Sequence, residues 1–88
     1  MQLFEVITHR HRHLPQGSYT THLFEKGIDK ISKKVAEEAT ELILAAKNND
    51  RENLIHECAD LTYHVLVLLA QQGVTPGEVA SELQKRAK

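Results

Sequence analysis

Five carboxylates on two helical stretches constrain this chain more than any other feature in it. Glu37, Glu38 and Glu41 lie in KKVAEEATELILAAK, and Glu57 and Asp60 in ENLIHECADLTYHVLVLL. Both stretches repeat apolar residues at three and four, the spacing of an amphipathic α-helix, in which residues so separated share a face. Glu38 and Glu41 therefore share a face, as do Glu37 and Glu41, and Glu57 and Asp60. The intervening NNDRE is short enough to fold the two helices back on one another in antiparallel fashion. In that arrangement the two acidic pairs can converge. Like charges at this spacing destabilise an isolated helix by a few tenths of a kcal/mol per pair. A divalent cation held by carboxylate oxygens would offset that cost. Mg2+ suits such donors best, because it prefers oxygen and completes its shell with water and phosphate.

The rest of the chain narrows the class. At 88 residues it is expected to form one domain, residues 1–88, with an all-α architecture of four or five helices in an antiparallel bundle. A core that small is only marginally stabilising on its own. The net charge of −1 argues against a general nucleic-acid binder, which would be clearly basic, and the absence of tryptophan argues against base-stacking platforms. No apolar run is long enough to span a bilayer, and no signal core opens the chain. A soluble cytoplasmic protein is expected. The single cysteine, Cys58, reads as a small buried hydrophobe in a reducing compartment.

In chain order, the first helix is predicted from Leu3 to about Arg12, with Phe4, Ile7 and Leu3 facing inward. It carries His9-Arg10-His11-Arg12-His13. On a helix these histidines scatter, so the run reads as a solvated, partly cationic face that could attract a phosphorylated ligand rather than as a metal site. Pro15-Gln16-Gly17 breaks the chain, and Ser18 then caps a short helix through Phe24 and Glu25 that ends at Gly27. Tyr19, Leu23 and Phe24 are expected to pack inward. The third helix should span Ile28 to Lys47, with Ile28, Ile31, Val35, Ala39, Leu42 and Ala46 as its stripe. Glu38 falls just off the edge of that stripe and Glu41 further round, flanked by Lys30 and Lys34. Surface pairing of Lys33 with Glu37 and of Lys34 with Glu38 would explain part of this charge, but it leaves the second acidic pair unexplained. Asn48-Asn49-Asp50 forms the turn, with Asp50 as N-cap. The fourth helix runs to about Gln72 and is stopped by Gly73. Its apolar set of Leu54, Ile55, Cys58, Leu61, Thr62, Val65, Leu66, Leu68 and Leu69 is too wide for one-sided packing, so it is central or also faces a second subunit. Glu57, Asp60 and His64 share its remaining edge. His64 reads as a structural histidine or a donor to Asp60. Thr75-Pro76-Gly77-Glu78 is a capping box opening the last helix, which carries Val79 and Leu83 and closes on a basic tail that complements the helix dipole.

The acidic pattern and its surroundings resemble a known family. Glu37-Glu38-x-x-Glu41 followed by Glu57-x-x-Asp60 is similar to the signature of the MazG-like all-α nucleotide pyrophosphohydrolases. Ser18-Tyr19-Thr20, Lys26-Gly27, Lys30, Lys33-Lys34-Val35-Ala36-Glu37-Glu38-Ala39-x-Glu41, Ala45-Ala46 and Glu57-x-Ala59-Asp60-Leu61-x-Tyr63-His64 resemble the phosphoribosyl-ATP pyrophosphohydrolase family of histidine biosynthesis, over about Phe4 to Arg86. Ala36 stands where that family often has glycine. The resemblance implies hydrolysis of phosphoribosyl-ATP to phosphoribosyl-AMP and pyrophosphate, dependence on Mg2+, and a helical homodimer. It implies a stand-alone form, without a cyclohydrolase domain and its zinc-ligand cysteines. By match to the family pattern, Glu38, Glu41, Glu57 and Asp60 are implied metal ligands. Glu41 counts as catalytic as well, and Glu37 as an outer ligand or an orienter of the attacking water. Lys30 and Lys34, with Lys26, Lys33 and Arg10, are candidates for gripping phosphate, and Ser18 and Tyr19 for contacting substrate.

Two other readings remain compatible with the residues. A house-cleaning pyrophosphohydrolase would apply the same chemistry to ordinary or damaged nucleoside triphosphates, and only the Ser18-Tyr19-Thr20 segment tilts the choice away from it. A non-enzymatic helical dimerisation module would leave the carboxylates merely solvated.

Overall fold

The computed structural model describes residues 2–87. Five α-helices account for nearly all of them: α1 (Gln2–His13), α2 (Tyr19–Lys26), α3 (Ile28–Lys47), α4 (Arg51–Gln71) and α5 (Pro76–Arg86). Local chemistry sets each boundary. The Ser18 hydroxyl accepts the Thr21 N–H at 3.3 Å and starts α2. Gly27 ends α2 and begins α3 at φ +88°, a conformation that L side chains rarely adopt, although the space around its Cα is open; the requirement is backbone conformation rather than room. The Asp50 carboxylate accepts the Asn53 N–H at 3.1 Å and starts α4. Thr75 and Glu78 form a reciprocal capping box with Pro76 just inside α5. Asp50→Ala should cost about 1 kcal/mol, read as a lower urea midpoint with unchanged slope.

The core gathers at one end of the molecule. Ile7, Leu23, Phe24, Ile31, Leu66, Val67 and Ala70 form its buried cluster, with Phe4, Tyr63, Leu68 and Leu69 packed against it. These residues come from α1, α2, the first turn of α3 and the second half of α4, so α4 is the central helix. The turn at residues 48–50 lies at the far end, and the α3–α4 hairpin runs from core to turn. Around the turn its outer face is bare: Ile43, Leu44 and Ile55 are each more than half exposed, and Cys58 is exposed as well. Helix α5 buries none of its residues, and Val79 and Leu83 are exposed.

Several sequence expectations are corrected. Cys58 and Ile55 lie on the uncovered side of α4, because α1, α2 and α3 occupy its other sides. Ile28 and Ala46 are exposed, whereas Ile31, Glu38 and Ala45 are buried. Ile31 faces inward as expected, but further along α3 Glu38 and Ala45 are buried, each one residue before the expected Ala39 and Ala46. Tyr19 does not pack inward; its side chain is 49% exposed, and the buried positions of its helix are Thr20, Thr21, Leu23 and Phe24. The histidines of α1 do not all scatter: His9 and His13, one turn apart, lie against each other with tilted rings and centroids 4.4 Å apart, and His11 lies against Phe24 at 4.5 Å.

Candidate metal and active site

The hairpin brings the acids together. Glu41 and Glu57 lie equally far from the turn on opposite helices, as do Glu38 and Asp60, so an antiparallel pairing sets each opposite the other. Carboxylate oxygens of Glu38, Glu41 and Glu57 lie within 4.8 Å of one another. A second triad under the same limit is His56, Glu57 and Asp60, and Glu57 belongs to both. His56 escaped the sequence reading. Its signal was available, as a histidine one helical turn before an acid of the motif.

Local contacts hold Glu38. It is buried, with its Oε1 3.8 Å from Lys34 Nζ and 3.9 Å from His64 Nδ1. Its other oxygen, Oε2, is shielded from solvent without a hydrogen-bond partner, and so is Oε2 of Glu57. A buried carboxylate oxygen with no donor costs several times what a satisfied one does. Oxygens of Glu38 and Glu57 on facing helices, within 4.8 Å of one on Glu41, are donors of the kind a hard divalent cation takes. The residues therefore fit a metal, and these acids could bind one.

The same crowding shifts Glu57. Its carboxyl is pushed up from 4.5 to about 7, first by a hydrogen bond to the Glu41 carboxyl that requires a shared proton, then by desolvation, then by the charges of Glu41, Asp60 and Glu38. An acid whose folded value is raised stabilises the fold below its unfolded value, and that contribution is lost as pH rises through the folded value. Metal-free wild type should therefore lose stability relative to Glu57→Gln as pH rises from 4.5 to about 7. Parallel urea titrations of the two proteins in chelator across that window measure the difference. Divalent cation, which favours the ionised form, should reverse the loss.

Behind the acids, α2 is tied to α4. The Asp60 carbonyl can only accept, so His64 Nδ1, 2.8 Å away, carries a proton. The opposite nitrogen, Nε2, faces the Tyr19 hydroxyl at 2.8 Å. Burial pushes the Tyr19 phenol above its ordinary value, which Lys34 opposes and Glu38, Tyr63 and Asp60 assist. Tyr19 thus keeps its proton at neutral pH, and its hydroxyl and His64 Nε2 share a hydrogen bond that ties α2 to α4. The Thr20 and Tyr63 hydroxyls form a parallel hydrogen bond between the same helices. His64 is a satisfied structural histidine, bonded to the backbone of Asp60 rather than to its carboxylate.

The other candidates are placed less tightly. Glu37 is exposed and, with Lys34, Glu38, Thr40 and Glu41, lines an open depression of about 490 Å³. A larger one of about 640 Å³ is lined by Ser18, Tyr19, Thr21, His22 and their neighbours. It lacks the acidic cluster, which lines only the smaller of the two. Tyr19, through His64, connects the two. Of the basic candidates, Lys34 alone among the described residues forms an ion pair with the acids. A Lys33–Glu37 pair does not form among those residues. Lys26 and Lys33 are exposed and Lys30 is half-buried, while Arg10 lines a separate depression with Gln2, Glu5, Val6 and His9.

A family model described as phosphoribosyl-ATP pyrophosphohydrolase matches residues 1–87. This chain belongs to that family. It is 56% identical to the phosphoribosyl-ATP pyrophosphatase of Listeria welshimeri, over 96% of this chain and 81% of that protein. To the phosphoribosyl-ATP pyrophosphatase of Geobacter sulfurreducens it is 52% identical, over 96% and 78%. The histidine biosynthesis bifunctional protein HisIE of Oceanobacillus iheyensis is 54% identical over 97% of this chain. The chain spans 40% of that bifunctional relative's length. The all-α fold expected from the sequence is the one observed, and the enzyme class expected is the one these relatives' names carry. No helix among the described residues is long and apolar enough to cross a membrane.

Proposed function

We propose that this phosphoribosyl-ATP pyrophosphohydrolase family member hydrolyses phosphoribosyl-ATP to phosphoribosyl-AMP and pyrophosphate in histidine biosynthesis, with Mg2+ held by Glu38, Glu41, Glu57 and Asp60. The observation that carries the reading is the convergence of Glu38, Glu41 and Glu57 oxygens within 4.8 Å of one another across the α3–α4 hairpin, with Glu38 Oε2 shielded and without a partner. When bound there, Mg2+ would supply charge neutralisation for the phosphate chain and Lewis acidity toward the attacking water. Bare carboxylates would repel a triphosphate, so this chain's acids serve hydrolysis only once their charge is compensated. Glu37, exposed on the rim of the same depression, is positioned to orient water. Lys34, paired with Glu38, would grip a phosphate oxygen, and Lys30 and Lys33 would extend that basic flank. Ser18 and Tyr19 line the neighbouring depression and take the nucleoside or ribosyl portion.

A second copy of the chain completes this assembly. Ile43, Leu44 and Ile55 are exposed together on a small domain, and an apolar surface of this kind marks an interaction site. A helical homodimer would cover it and stiffen the end of the hairpin remote from the core. Sedimentation equilibrium should return twice the chain mass, and Ile43→Asp should return it to the single-chain mass.

Parallel turnover of phosphoribosyl-ATP and a panel of ordinary nucleoside triphosphates tests the substrate, with pyrophosphate release as the signal. The reading expects kcat/KM for phosphoribosyl-ATP to exceed the others by about a hundredfold or more, on the order of 3 kcal/mol. Equal turnover across the panel would favour the house-cleaning activity. No turnover of any member, with no cation bound, would leave the non-enzymatic module.

A further inference from the structure

We propose that Tyr19 is a positioning residue for the metal site: its hydroxyl, acting through His64, holds the Glu38 carboxylate in place for the cation. This rests on the Mg2+ reading above, since Glu38 is an acid of that site. Tyr19 stands on α2, whereas Glu38 stands on α3 and His64 on α4. The Tyr19 hydroxyl lies 2.8 Å from His64 Nε2. The opposite nitrogen, Nδ1, donates to the Asp60 carbonyl at 2.8 Å, which anchors the ring on its own helix. The same Nδ1 lies 3.9 Å from Glu38 Oε1. His64 and Glu38 are both buried. Glu38 Oε1 is thus flanked by Lys34 Nζ and by the edge of the His64 ring, while Oε2 is left shielded and without a partner.

The hydrogen bonds at its two nitrogens decide how the ring of His64 is turned. Tyr19 and Tyr63 meet it edge to face, with centroids 5.8 and 5.5 Å away, but a half-turn of the imidazole about its Cβ–Cγ bond preserves its outline and exchanges nitrogen for carbon. A ring so flipped presents C–H, which is no substitute donor, to the Asp60 carbonyl and to Glu38. Removing the Tyr19 hydroxyl removes one of the two bonds that select the observed orientation. Tyr19 is also half exposed and borders the larger depression with Ser18, Thr21 and His22. A single side chain therefore touches both the substrate depression and the support of a metal-binding acid. A plain clip between α2 and α4 is the competing account, since a hydrogen bond between helices adds stability wherever it sits. The fold supplies a matched comparison: the Thr20 and Tyr63 hydroxyls bond the same two helices without engaging the nitrogens of His64. A clip makes the two bonds interchangeable, whereas a positioning role does not.

The test titrates Mn2+, as a paramagnetic substitute for Mg2+, into the full chain without nucleotide, counting free ion by electron paramagnetic resonance. Loss of affinity then cannot come from loss of a substrate contact. Tyr19→Phe keeps the ring at a half-exposed position, so its circular dichroism should match wild type. Its Mn2+ affinity should fall about tenfold, as when an outer partner of a metal ligand is removed, and that of Tyr63→Phe should stay within about twofold of wild type. In turnover of phosphoribosyl-ATP, Tyr19→Phe should need about tenfold more Mg2+ for half-activation, with KM for the nucleotide within about twofold of wild type. Undiminished Mn2+ affinity in Tyr19→Phe would overturn the inference alone. So would an equal loss in Tyr63→Phe, which would leave only a clip between helices. Absence of Mn2+ uptake by wild type would overturn the Mg2+ reading as well.

Discussion

Glu57→Gln is expected to lower kcat/KM for phosphoribosyl-ATP by on the order of a thousandfold, about 4 kcal/mol of transition-state stabilisation, without unfolding the protein. Glu57 is the one residue common to both donor triads, so neutralising it weakens both at once. Metal affinity should fall with activity. Stability should move the other way: the variant removes a carboxyl that Glu41, burial, Asp60 and Glu38 hold near 7, so chelator-treated protein above that pH should melt no lower than wild type. Loss of activity with gain of metal-free stability distinguishes a binding acid from a structural one. Initial rates and thermal melts on the same preparations measure both.

Leu23→Ala should have the largest effect on the fold. Leu23 is fully buried where α1, α2, α3 and α4 meet, and truncating a leucine in such a place costs about 3 kcal/mol. For a domain of this size that corresponds to a fall in Tm of about 15 °C. The consequence reaches the site, because α2 carries both Leu23 and Tyr19, and Tyr19 is tied to His64 behind the acids. Saturating Mg2+ with a non-hydrolysable substrate analogue should restore part of the loss, as ligands that bind only the folded state do. Differential scanning calorimetry with and without the pair reports both quantities.

The helices were legible in the sequence because their ends are written in local chemistry. Ser18, Gly27, Asp50 and the Thr75–Glu78 box act within four residues of themselves, and each stands where the spacing predicts. The convergence of Glu38, Glu41 and Glu57 was legible for a similar reason: a three-residue turn leaves two long helices little choice but to run back along each other. What failed depended on which neighbours a surface meets. Cys58 and Ile55 carry apolar side chains at helical spacing, yet they lie on the side of α4 that no element of the same chain covers. Periodicity cannot distinguish a face packed within the chain from one awaiting a second copy. The ring of Tyr19 suits an inward position, whereas its hydroxyl governs, reaching His64 from a half-exposed position. Glu38 lies at the margin of its stripe by spacing alone, and the packing of α3 on α4 buries it. The spacing of His56 one turn before Asp60 is visible in the sequence, but its 3.3 Å approach to the Asp60 carboxylate is a fact of the fold.

Titration of Mg2+ into the wild-type chain in the presence of a non-hydrolysable phosphoribosyl-ATP analogue tests the central claim most directly, with Glu38→Gln and Glu57→Gln run alongside. The account predicts saturable uptake of the ion by wild type and its loss in both variants, whose helical content stays the same. Saturable uptake that persists undiminished in both variants, or no uptake by wild type at all, would contradict it.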